Sequence, residues 1–183
     1  MTWIKYIGQY ILLMILQVFL FDQLQFMGVC HPFIYILFLL MMPITLPHSV
    51  DMLIGAMVGL IMDVFSNSLG IHTSACILLM FLRPYLLETI LNDKDRLNEQ
   101  ISTRVVGPEA MGKYLAILII IHHLMVFILS AWSWTHIGFV LLETLVSALI
   151  TFIFIFGFNI LKYKWLMTNT IDEDMLSVAL PLV

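Results

Sequence analysis

Charge is what this sequence has least of. Lys, Arg, Asp and Glu make up 11% of its 183 residues, and 62% are hydrophobic; a soluble domain carries about 25% charged residues. Mean hydropathy is +1.04. A chain of this length cannot bury that much apolar surface in a water-soluble core, so it needs lipid as its solvent. No segment is long and polar enough to form a separate soluble domain. Cysteine is scarce as well: Cys30 and Cys76 give neither a disulfide framework nor a metal-binding spacing. Catalytic signatures are missing. The sequence holds no GxSxG, Walker sequence, CxxC, HxxxH or HExxH, and no paired-carboxylate spacing. These absences point away from an enzyme, and no cofactor or metal is expected. No small-x-small cleavage site follows the first apolar run, and Phe26-Met27-Gly28-Val29-Cys30 lacks the small residue a lipoprotein signal wants before Cys. The first segment therefore reads as a retained anchor.

What is present is a series of six apolar runs, near 3–21, 33–47, 50–65, 70–90, 114–132 and 137–161. In lipid the backbone must satisfy itself, so all six are expected as helices of one polytopic domain. The third is short: 16 residues rise about 24 Å, less than a ~30 Å hydrocarbon core. Pro43 and Pro47 should end or bend the second span and set a tight turn into the third. The basic residues orient the bundle. With the N-terminus inside, Lys5, the 91–113 loop (Lys94, Arg96, Arg104, Lys113) and the 162–183 tail (Lys162, Lys164) are cytoplasmic, and Arg83 lies in the inner part of the fourth span. The outside connections near 22–32, 66–69 and 133–136 hold no Lys or Arg, as the positive-inside rule requires. Five spans would put the central loop or the tail on the wrong side. Trp3, Trp132, Trp134 and Trp165 fall at the expected interfaces. The run Asn92–Arg96 reads as a solvated or interfacial helix. Asp172-Glu173-Asp174, followed by an apolar stretch, reads as a solvated end or a docking segment.

Ionisable groups inside spans are costly and mark sites by default. Asp51, Gly55, Gly59 and Asp63 recur every four residues, drifting only about 40° per step along one helix face. The face is small in the middle, a GxxxG pattern that admits a close helix, and acidic at both ends. It serves internal packing with Asp63 capping the outer turn, docking of another protein's helix, or an ion site. Arg83 stands about 20 Å below Gly70 on the fourth helix, at the depth of Asp51. The two are expected either to pair or to leave Arg83 snorkelling to the cytoplasm. His72, Asp63 and Glu143 project into the outer half and are candidates for a polar cluster. His122 and His123 are adjacent mid-span, so at most one is expected to face inward. Ser66, Ser68 and Ser74 beside His72 allow a Ser/His reading, but short polar residues at such a junction also serve as caps and turns.

The stretch Gly55-Ala56-Met57-Val58-Gly59-Leu60-Ile61-Met62-Asp63, a short Ser/Asn turn and Leu69-Gly70-Ile71-His72 resembles the rod shape-determining MreD family. That family carries a Gly-rich helix ending in Asp, a brief Ser/Gly-rich turn and a Leu-Gly start to the next helix. The likeness covers about 30 residues; elsewhere it is one of layout, and the 22–32 connection and the 22-residue tail have no counterpart. The resemblance implies a fold similar to the substrate-binding (S) components of vitamin transporters. It also implies a non-enzymatic subunit of the bacterial elongation machinery in the cytoplasmic membrane. Its partner would be a bitopic MreC-like protein, linking indirectly to MreB filaments, a SEDS-type glycosyltransferase and a class B penicillin-binding protein. Partner-helix docking is expected at Gly55, Gly59, Asp63 and Gly70, with Asp51, Arg83, His72 and Glu143 as intramembrane polar contacts. The alternatives are a transporter-type subunit with a small-molecule pocket lined by His72, Asp63 and Glu143, and an intramembrane enzyme using Ser66, Ser68 or Ser74 with His72.

Overall fold

Helix forms along five of the six apolar runs, because a helix satisfies its own backbone in lipid. The computed structural model describes residues 2–21, 30–91, 101–131 and 137–179, with side chains from residue 7 to residue 165 within those limits. The run Asn92–Arg96, most of the 22–32 connection, Trp132 and Trp134 lie outside the described residues, as do the side chains of Trp3, Lys5 and Asp172–Asp174. The elements are α1 (Thr2–Leu16), continued by a π-helical turn (Gln17–Phe21), a short α2 (Ile36–Leu40), α3 (His48–Ser66), α4 (Ile71–Ile90), α5 (Thr103–Ala131) and α6 (Ile137–Ala179). In α3, α4, α5 and the Ile137–Trp165 part of α6, length and apolar composition suffice to cross a membrane; the apolar part of α1, Ile7–Phe21, is shorter. The chain is a multi-pass helical membrane protein, and its six apolar runs are not six long helices.

Local chemistry sets the boundaries. Pro47 precedes α3 in an extended conformation (φ −60, ψ 140), and a proline there leaves no N–H unpaired. Asn67 ends α3 in the left-handed region (φ 51, ψ 39), its N–H returning to the Asp63 carbonyl; Asn is among the few L-residues that tolerate this. Gly70 (φ 80) then opens α4. These two left-handed residues fold the α3–α4 connection into a tight hairpin. In α5, Gly107 (φ 81, ψ 162) sets Thr103–Val106 apart from the long straight part, which Pro108 restarts. Helix α3 packs on α4, α4 on α5 and α5 on α6. At 19 residues α3 is longer than the run that announced it, rising about 28 Å.

The second apolar run departs from expectation. Only Ile36–Leu40 is helical, yet Pro32–Leu40 is buried throughout. At one end the His31 ring lies 6.1 Å from Phe127; at the other, Tyr114 Oη donates to the Leu40 carbonyl at 2.9 Å. Those two α5 residues stand about 20 Å apart along the helix, so the segment threads the bundle antiparallel to α5 with only Ile36–Leu40 helical. Irregular backbone is tolerated at that depth only inside protein and only if its polar groups are satisfied. Here side chains satisfy them. His31 N–H donates to Ser147 Oγ (2.9 Å) and Phe33 N–H to Thr151 Oγ1 (3.1 Å). Ile34 and Tyr35 N–H both reach Gln17 Oε1 (2.7 and 3.4 Å), while Gln17 Nε2 donates to the Pro32 carbonyl (3.0 Å). Pro32 itself has no N–H to satisfy.

Candidate functional site

The glycine face of α3 is turned toward α4 of the same chain. A Cβ at Gly59 would lie 2.5 Å from Thr73 Cα and 2.7 Å from the His72 carbonyl oxygen; one at Gly55 would lie 2.7 Å from Met80 Cγ. Gly55 and Gly59 are therefore occupied by an intramolecular contact and are not open to a partner's helix, which corrects the docking expectation for them. Gly70 contributes its backbone conformation; no atom lies within 4 Å of a Cβ built there. Asp63 closes the same interface. Its carboxylate accepts from Ser68 Oγ (2.6 Å), His72 N–H (2.9 Å), Thr73 N–H (2.9 Å) and Thr73 Oγ1 (2.6 Å). It thus caps α4 from α3, supplying acceptors to N–H groups the first turn leaves free.

At the other end of the bundle stands Arg83, with 1% of its surface exposed. Its Nη1 donates to Asp51 Oδ2 at 3.1 Å and its Nε to Tyr114 Oη at 3.1 Å. Its Nη2 donates to the Met42 carbonyl. Arg83 therefore pairs with Asp51 and does not snorkel. Together with Tyr114 it also ties down the carbonyls that end the irregular segment. Glu88, further along α4, is exposed.

Between these layers lies a polar core. Tyr35 Oη, on the irregular segment, is 3.1 Å from His72 Nδ1 and 2.9 Å from His122 Nε2. His123 Nδ1 is 2.8 Å from the Ile119 carbonyl oxygen, so it donates there, and Nε2 accepts from Thr151 Oγ1 at 3.1 Å. Both His122 and His123 are fully buried, against the expectation that only one would face inward. The reason is the position of α5: it packs against α4 on one side and α6 on another, so neighbouring residues find different interiors.

Towards the Asp63 end, a cavity of about 730 Å³ opens among the π-helical turn, the irregular segment, the α3–α4 junction, α5 and α6, with His31, Ser66, Ser68, His72, Ser130 and Glu143 among its polar walls. His72 and Glu143 thus share a space, whereas the Asp63 carboxylate is committed to the α4 cap. Ser68 donates to Asp63 and Ser74 Oγ to the Gly70 carbonyl at 2.8 Å. Among the described residues no hydrogen bond joins His72 to Ser66, Ser68 or Ser74, and no group of three His, Cys, Asp or Glu side chains is placed to hold a metal ion. Sequence reasoning missed Gln17, Tyr35, Tyr114, Ser147 and Thr151. The available signal was a polar side chain within an apolar run, the same signal that marked Asp51 and Arg83. Comparison with family models, curated proteins and solved structures finds no match for the chain.

Proposed function

We propose that this chain is a non-enzymatic membrane subunit of the MreD type, a scaffold of the bacterial cell-elongation and peptidoglycan-synthesis complex. The observation that carries the reading is the α3–α4 hairpin. The residues that resemble the family act there as one unit: Gly55 and Gly59 admit α4, Asp63 caps it, and Gly70 makes the turn. In this reading the chain crosses the cytoplasmic membrane six times, the second time by the irregular segment, with both termini cytoplasmic. Its partner is a bitopic MreC-like protein, through which it reaches MreB filaments, a SEDS glycosyltransferase and a class B penicillin-binding protein. With the glycine face filled by α4, the partner's transmembrane helix docks on an outward face. Such docking is driven by packing and interhelical hydrogen bonds. The test is co-purification: the tagged chain, extracted in mild detergent, should carry a bitopic coiled-coil protein encoded beside it. Equal expression of both proteins without capture, in detergent and after cross-linking in cells, would sink the reading.

A second reading is favoured by one observation, the mixed polar and apolar cavity beside His72 and Glu143. Pockets of this size hold small molecules, so the chain would be the ligand-binding subunit of a transporter. A ligand-dependent rise in melting temperature in detergent, abolished by Glu143→Gln, is its expected signature.

A further inference from the structure

A smaller pocket at the Arg83 end has the opposite electrostatic character. About 110 Å³ in volume, it lies among α1, the irregular segment, the start of α5 and α6, with Ser102, Thr103, Arg104, Asn159 and Lys162 on its polar side and Leu37 and Phe158 on its apolar side. Among the described residues no carboxylate lines it. Arg104 and Lys162 are both exposed, and neither is paired with a carboxylate among the described residues. Two like charges at one pocket repel unless an anion lies between them. An independent feature points the same way. Thr103 is 3% exposed, and its hydroxyl is buried without a hydrogen-bond partner. Such a group costs stability unless a partner arrives. Position completes the picture: Lys162 directly follows the apolar run 137–161 and lies three residues before Trp165. That is the depth of lipid head groups.

We propose that this pocket binds the phosphate of an anionic phospholipid. Arg104 and Lys162 hold the charge, the Thr103 hydroxyl donates to a phosphate oxygen, and an acyl chain leaves along Leu37 and Phe158. The volume admits several water-sized groups, enough for a phosphate. A zwitterionic lipid would bring its own ammonium against two cations, with no carboxylate among the described lining residues to receive it. The apolar wall argues for a lipid over free phosphate, and basic pockets between membrane helices are known to select phosphorylated head groups.

The experiment uses the full chain in phosphatidylcholine nanodiscs doped with phosphatidylglycerol, with retained lipid counted by native mass spectrometry. Phosphatidylglycerol should stay bound in preference to phosphatidylcholine. Arg104→Gln and Lys162→Gln should each weaken retention about fivefold, and the double variant about thirtyfold. Thr103→Val should weaken it while leaving the protein monodisperse. Lys113→Gln removes an exposed charge that is already paired with Glu109, and should change nothing. Equal retention of the two lipids would overturn the proposal, as would undiminished retention by the double variant or an equal loss in Lys113→Gln. So would displacement of the lipid by millimolar inorganic phosphate, which would assign the pocket to a soluble anion.

Discussion

At the residue scale, the two glycines of α3 differ in what they face. Gly59 meets backbone, Thr73 Cα and the His72 carbonyl, whereas the nearest atom to a Cβ at Gly55 belongs to the flexible Met80 side chain. Backbone cannot move without shifting α4, while a methionine repacks. Gly59→Ala should therefore destabilise by about 1–3 kcal/mol and Gly55→Ala by less, as read from thermal unfolding in detergent. Equal losses would show that α4 yields as easily as Met80. Arg83 allows a second comparison. Arg83→Met leaves Asp51 buried without its cation and frees the Met42 carbonyl, a loss of about 3–5 kcal/mol. Adding Asp51→Leu should restore part of it, because the second change removes the stranded charge. A double variant no better than Arg83→Met would mean that Arg83 acts through the carbonyl and Tyr114 alone.

At the element scale, the irregular segment depends on side chains outside itself. Gln17 sits at the π-helical turn that ends α1, where it serves both a carbonyl and two N–H groups of the segment. In an apolar interior each unsatisfied backbone group costs several kcal/mol. Gln17→Leu should loosen Phe33–Tyr35 first, so amide hydrogen exchange there should accelerate while α3 and α4 stay protected. Asn159→Leu is the matched control, since among the described residues the Asn159 amide bonds the Ile155 carbonyl of its own helix and no backbone of the segment. Uniform acceleration across the bundle in Gln17→Leu would show that the segment and the helices open together. The six apolar runs were legible as elements because hydropathy needs only local sequence. The helical state of the second was not legible, because its stability comes from Ser147 and Thr151, more than a hundred residues away.

At the scale of the whole molecule, the fold makes the topology measurable. Cys30 and Cys76 are buried, so new cysteines in a Cys30→Ser/Cys76→Ser background report cleanly. Leu69, 99% exposed, lies at the Asp63 end, and the exposed Thr45 lies at the opposite end, before α3. With the proposed orientation, an impermeant maleimide should label Leu69→Cys in intact spheroplasts and Thr45→Cys only after lysis. Labelling of both from outside would contradict a membrane-crossing α3, and the reverse pattern would invert the orientation.

The sequence by itself determined the solvent of this protein, the α3–α4 hairpin and the common depth of Asp51 and Arg83. All three follow from composition, local turn chemistry and the 1.5 Å rise of a helix. It also marked Gly55, Gly59 and Asp63 as one face. Only the tertiary structure decided what that face meets, because a GxxxG surface suits a neighbour in the same chain as well as one in another. The structure alone likewise showed that two adjacent histidines are both interior and that most of the second apolar run is not helical. In each case the deciding partner comes from a distant part of the chain, and side-chain hydrogen bonds across a bundle leave no periodicity in sequence.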